Sequence, residues 1–117
     1  WVPDAGAICG AAVGEVAAMD GISPNAVGLH AGEGETSELL CLHPEQVRMD
    51  RAVPGYTGDM GVGLARLVAS GTLALTPTGV VGDPRPADPE RGERYLAAQA
   101  ACYEAALRRW LIQTDGT

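Results

Sequence analysis

Phenylalanine is absent, and aromatic residues make up only 4% of the 117 residues. Hydrophobic residues reach 46%, but alanine supplies much of that share. Side chains large enough to fill a core are therefore few. A chain of this length supports one small domain. With 16 glycines, the composition suits a loop-rich piece that packs against something else. Positive charge is also scarce: 8 basic against 15 acidic residues give a net charge of -7. The basic residues form no stripe, and phosphate-backbone binding needs a concentrated positive field. Nucleic acid is therefore excluded as a partner. No apolar run approaches the roughly 20 residues of a membrane span, and no signal-peptide pattern occurs. The reading is a cytoplasmic protein with no membrane partner. Position 1 is Trp1 rather than an initiator Met, so the chain is expected to be processed, cleaved or truncated.

The three cysteines, Cys9, Cys41 and Cys102, are widely separated and form no C-x-x-C pair. A zinc knuckle and a disulfide framework are not indicated, and reduced thiols in a core are the simpler reading. Familiar catalytic signatures are missing as well. There is no H-E-x-x-H, no phosphate-binding Walker loop and no G-x-S-x-G elbow. Gly61-Val62-Gly63 lies inside a helical pattern and follows no strand, so it is not a dinucleotide fingerprint.

What is present is a short run of elements. Residues 1–29 read as a long loop region: Trp1-Val2-Pro3 can end a strand, and Ile22-Ser23-Pro24-Asn25 has turn chemistry. A helix is expected over 35–43, capped by Thr36 or Ser37, with Leu39, Leu40 and Leu42 on its buried side. Asp59 caps a second helix whose Met60, Leu64, Leu67 and Val68 share one face and which Gly71 stops. Thr72 to Thr76 reads as a strand halted by Pro77. Asp88-Pro89 opens the last helix, with Leu96, Tyr103, Leu107, Trp110 and Leu111 as its apolar stripe. One or two strands do not make a stable sheet. A helix–strand–loop–helix order implies an α/β protein whose other strands come from elsewhere.

The densest polar cluster is His30-Ala31-Gly32-Glu33-Gly34-Glu35-Thr36-Ser37, where a glycine-rich loop enters a helix. Three ionisable groups beside helix-start amides suit binding or proton transfer. They equally suit plain helix capping, because Glu is favoured in a first turn. His30 is the best single candidate, since imidazole exchanges protons near neutrality. His43 beside Pro44 fits ordinary helix-end chemistry. Two histidines so far apart, without a carboxylate pair at ligand spacing, build no metal site alone.

Leu29-His30-Ala31-Gly32-Glu33-Gly34-Glu35-Thr36-Ser37, followed by Leu39-Leu40, Pro44-Glu45 and Val47, resembles the H-(A/G)-G-x-x-E-T-S helix entry of creatininase-family amidohydrolases. Thr76-Pro77-Thr78-Gly79-Val80-Val81-Gly82-Asp83-Pro84 is similar to that family's G-V-x-G-D-P turn, and Pro89-Glu90-Arg91-Gly92 to the opening of its last helix. The resemblance spans residues 28–112. It implies a three-layer α/β/α fold, of which 1–117 is a single partial domain. Residues 1–29 would be a substrate-side loop region and 30–117 the C-terminal half, incomplete without a partner chain or an N-terminal half.

The resemblance also implies hydrolysis of a C–N amide bond at a two-metal centre, with zinc or manganese, and iron as a third candidate. The family's metal ligands lie in its N-terminal half and have no counterpart here, so no metal ligand is assigned. The motif His falls on His30, which would orient the substrate and protonate the leaving nitrogen. The motif Glu falls on Glu35, which would orient His30 or neighbouring amides. Ala26, Val27, Gly32 and Glu33 would line the substrate. Creatininase proper carries a Trp-Asp pair where Ala26 and Val27 stand, which sets this chain apart from it. Members outside creatinine metabolism include formamide hydrolases and peptidases of the mycofactocin pathway, so a cyclic amide, a formamide or a peptide-like compound is the expected substrate. The expected partner is a paired subunit or half carrying the metal ligands, in a hexamer of pairs. Two other readings stay open: a non-catalytic scaffold subunit of the same fold, and a small helical interaction domain that folds alone.

Overall fold

A computed structural model of the protein describes residues 5–115. Among these residues the chain forms α1 (Ala5–Met19), α2 (Pro24–Val27), α3 (Glu33–Leu42), α4 (Met60–Ser70), α5 (Thr72–Leu75) and α6 (Pro89–Asp115). Single 3-10 turns lie at Pro44–Gln46 and Met49–Arg51. The strand end expected at Trp1-Val2-Pro3 lies outside the described residues.

Four helix boundaries follow directly from local chemistry. Asp59 caps α4 by accepting the Val62 amide at 2.8 Å, and Gly71 closes it at φ 80°. Asp88 caps α6 by accepting the Arg91 amide at 2.8 Å, with Pro89 in the first helical position. Ser23 accepts the Ala26 amide at 3.2 Å and so converts the turn residues 22–25 into the short helix α2.

Three expectations need correction. Much of the loop region 1–29 is helix α1, because alanine, the best helix former, outweighs its glycines, and α1 has α6 to pack against. Residues 72–76 form the helical turn α5, not a strand. With no strand alongside, the Thr76 amide closes locally on the Thr72 carbonyl at 2.8 Å. Helix α3 begins at Glu33 rather than 35, with Gly32 at its N-cap. Ser37 is therefore inside the helix, not capping it.

Little sheet exists among the described residues. An isolated antiparallel bridge joins His30 and Val81. The Leu29 and His30 amides donate to the Val81 carbonyl at 2.8 and 3.2 Å, and the Val81 amide donates to the His30 carbonyl at 2.8 Å. On the other side of this stretch, the Gly55 amide meets the Gly82 carbonyl and the Tyr56 amide meets the Val80 carbonyl, both at 3.0 Å. Three extended stretches thus lie side by side, too short to count as strands. The described architecture is mostly helical.

The core is small. Its buried apolar side chains are Cys9, Ala17, Val81, Tyr95 and Ala106. The stripe expected on α6 is only partly covered, since Leu107 and Leu111 are exposed. The radius of gyration is 15.9 Å, against about 13 Å for a compact domain of this length. The accessible surface is 7258 Å², where a folded 12.0 kDa monomer exposes roughly 6,000 Å². No helix among the described residues is long and apolar enough to cross a membrane. The three cysteines are free, with Cys9 buried.

Candidate functional site

The two sequence segments singled out at 28–37 and 76–84 meet in space. The loop after α2 crosses the 79–83 turn with their backbones in contact, and glycine makes this possible. Gly28 sits at φ 77°, and a Cβ there would lie 2.1 Å from the Val81 carbonyl oxygen. Gly82 sits at φ 144°, and its Cβ would lie 2.8 Å from the Gly32 Cα. Both positions need left-handed backbone, which glycine adopts at little cost. The Asp83 amide seals the crossing by donating to the Ala26 carbonyl at 3.0 Å. Asp83 in turn holds Arg85 at 2.8 Å, and this hydrogen bond keeps the Asp83 carboxyl below its usual range.

His30 emerges from this crossing. Its backbone is fixed by the bridge to Val81, while its side chain is 69% exposed. Ala31, next in sequence, has φ 51°. A left-handed non-glycine residue stores strain and persists only where its surroundings enforce it. Glu35 supplies part of that enforcement. Its Oε2 accepts the Ala31 amide at 2.5 Å, as in a capping box reaching one residue further out. The same oxygen lies 3.9 Å from His30 Nδ1. Carboxylate, strained amide and imidazole thus form one exposed unit at the N-terminus of α3.

The turn stands as a ridge between two grooves. One, of about 310 Å³, is lined by Leu29, His30, Leu64, Leu67, Leu75 and Val81 and is mostly apolar apart from the imidazole and Thr72. The other, of about 570 Å³, has Glu35 and Glu38 on its wall, with Val27, Leu29 and Tyr103. Burial pushes the Glu38 carboxyl up against an opposing hydrogen bond from Gln99.

The remaining residues of the cluster face inward. Glu33, offered by the sequence as substrate-lining, has 0% exposure. Its Oε1 accepts the Ser37 hydroxyl at 2.6 Å, and its Oε2 accepts the Tyr95 hydroxyl at 2.8 Å. Arg91 Nη1 lies 3.2 Å from Oε1. Ser37 Oγ also accepts the Asp88 amide at 3.0 Å. Arg91 Nε is 3.3 Å from Asp20 Oδ2. That is close enough for charge attraction but misaligned for a hydrogen bond, so this buried N–H lacks an acceptor. Asp20 pairs with Arg94 as well, and that hydrogen bond holds its carboxyl below the usual range. Gly32 is buried, whereas Ala26 and Val27 are half-buried on the approach to the turn.

Sequence reasoning missed this hub, although a signal existed. Glu33 and Ser37, and likewise Arg91 and Tyr95, are spaced four apart on one helix face, and both pairs fall on the sides where α3 and α6 pack. Among the described residues, no three His, Cys, Asp or Glu side chains converge as a metal cage.

The sequence profile of the creatininase family, described as creatinine amidohydrolase, matches residues 7–107. Proteins named mycofactocin precursor peptide peptidase are similar to this chain over 87 residues. Identity is 39% for the one from Mycobacterium tuberculosis (strain ATCC 25618 / H37Rv). It is 37% for the one from Mycobacterium ulcerans (strain Agy99) and 33% for the one from Mycolicibacterium smegmatis. Each alignment covers 74% of this chain and 35% of the relative. The chain therefore spans about a third of the length of the curated relatives it matches. No solved structure matches.

Proposed function

The chain belongs to the creatininase family, and from that premise we propose that it forms part of a hydrolase that cleaves an amide bond in a peptide substrate. The observation that carries this reading is the exposed His30 imidazole, set on a strained turn with the Glu35 carboxylate 3.9 Å away. The peptide lies across the ridge, flanked by the two grooves. His30 protonates the leaving nitrogen as the C–N bond breaks and the oxygen of water joins the carbonyl carbon. Glu35 holds the Ala31 amide and steadies the imidazole. The names of the mycobacterial relatives support a precursor peptide as the substrate class.

The described residues do not form a metal centre by themselves. The divalent metal that the family implies, zinc, manganese or iron, would be held by ligands on the rest of the family's domain, either an N-terminal half or a paired subunit. The same part of the domain would complete a three-layer α/β/α fold by adding strands beside residues 29–30 and 55–56, the outer members of the three paired stretches. Two features support such a partner. The surface exceeds that of a compact monomer by an amount on the order of one side of a standard interface. The apolar groove beside His30 is open. A cytoplasmic assembly of several such pairs is the working arrangement.

A non-catalytic scaffold role is the second reading. It is favoured by the inward placement of Gly32 and Glu33. The test is to purify the protein with whatever co-purifies, weigh every component by intact mass and measure its metal content. A precursor peptide is then supplied and the products read by mass spectrometry. A partner that brings bound metal and a product gaining one water support the proposal. Tight stoichiometric metal in the isolated chain overturns the split of labour, and absence of peptide cleavage by the metal-loaded complex overturns the activity.

A further inference from the structure

Resting on the reading that His30 acts on the substrate, we infer that Tyr95 and Arg91 of α6 are positioning residues that aim His30 through Glu33. Helix α3 has no side-chain cap at Gly32, so its first turn takes its placement from elsewhere. Glu33 is the first residue of that turn, three positions after His30. Both its oxygens are gripped, by Ser37 and Arg91 on one side and Tyr95 on the other.

The grip is transmitted closely. Gly92 lies so near the first turns of α3 that a Cβ there would fall 2.0 Å from the Ser37 carbonyl oxygen. A shift of α6 therefore moves the start of α3 with little slack. Between Glu33 and His30 stands Ala31, whose left-handed backbone holds only while both sides are fixed. One side is the Val81 bridge, and the other is the Glu33 hub.

Stability alone is a weak reason for such a hub. A buried ion pair is often no better than apolar residues of the same volume. This one occupies the centre of a molecule short of apolar core. It also makes α6, more than fifty residues away in sequence, a determinant of where the imidazole points. Burial and the neighbouring Glu33 push the Tyr95 hydroxyl well above its usual range, so it remains a donor at every working pH.

The test exploits the presence of only two histidines, His30 and His43. Their ring-carbon NMR signals are assigned with His30→Gln and followed in Tyr95→Phe, which deletes one hydroxyl and keeps the ring. Ala106→Gly, which loosens buried α6 packing away from the hub, serves as the control. The expected result is a displaced His30 signal in Tyr95→Phe with His43 unmoved, and no displacement in Ala106→Gly. In the active complex Tyr95→Phe should lower kcat by about 10- to 100-fold with KM within about twofold, the size of effect a small misplacement produces. Should Tyr95→Phe fail to fold, Ser37→Ala severs the link between Asp88 and Glu33 and is read the same way. A Tyr95→Phe protein that melts earlier but keeps the His30 signal and kcat overturns the inference, leaving the hub a structural feature only. Unchanged turnover in His30→Ala would instead overturn the hydrolase reading, while the ring signal still judges the geometry.

Discussion

The two sides of the His30 turn are built on opposite principles. On the α3–α6 side, charged and hydroxyl groups are buried and satisfied almost completely within the chain, with Glu33 and Tyr95 at 0% exposure. On the α4–α5 side, apolar side chains stand in the open, with Leu73 82% and Val68 78% exposed. Buried polar groups on one side and exposed large apolar groups on the other both depart from the usual pattern of a folded domain. The difference separates two tasks. Directional hydrogen bonds fix the geometry of the His30 turn internally, whereas the apolar lobe is where non-directional burial by the proposed remainder of the domain would act.

Four perturbations sharpen this contrast. The largest effect is expected from Glu33→Ala, which strands Arg91 and Tyr95 in the interior. Removing one member of a buried pair costs about 3–5 kcal/mol, and chemical denaturation should show most of the stability gone. Gly28→Ala comes next. It forces a Cβ into the Val81 carbonyl at φ 77°, with strain of about 1–3 kcal/mol, and it should lower both the melting temperature and turnover because it acts at the crossing that carries His30.

Val68→Ser tests the other lobe. The isolated chain should change by no more than about 0.5 kcal/mol, as for surface substitutions generally, while its affinity for the partner falls measurably in sedimentation. Equal losses from Val68→Ser and Glu33→Ala in the isolated chain would erase the contrast.

The smallest effect concerns pH. The Asp20 and Asp83 carboxyls lie below the ordinary aspartate value of 3.8 through hydrogen bonds from Arg94 and Arg85. The stability they contribute is present above that value and is lost as pH falls below it. Glu38 has the opposite sign. Burial raises it above 4.5, so the folded state binds its proton more tightly, and the associated stability is lost as pH rises through the folded value. Thermal melts should therefore show Glu38→Gln losing less stability than the parent as pH rises above 4.5. A steeper loss in Glu38→Gln would contradict this assignment.

How far the sequence was legible follows the range of the forces involved. Helices α4 and α6 were readable because their signals are local: Asp59, Gly71 and Asp88-Pro89 act on amides a few residues away. The His30–Glu35 cluster was readable as a unit for the same reason. Helix α1 was obscured because alanine and glycine pull in opposite directions and packing on α6 decides between them. The stretch 72–76 has a strand's composition but no neighbouring strand, and strand preference is realised only through such neighbours. The inward turn of Glu33 was invisible because its hydroxyl partner Tyr95 lies 62 positions away. The α/β reading of the whole chain rested on an element order that included a strand at 72–76, and its three-layer form on the family resemblance; the described residues express only helices and one bridge.

The most direct measurement is turnover of a precursor peptide by the partner-bound protein carrying His30→Ala, compared with the parent at matched folding and matched complex formation. Loss of a general acid should reduce kcat by about 10²- to 10⁴-fold, with assembly and peptide binding preserved. Turnover equal to that of the parent would contradict a proton-donating role for His30 and leave this chain as a scaffold for chemistry performed elsewhere.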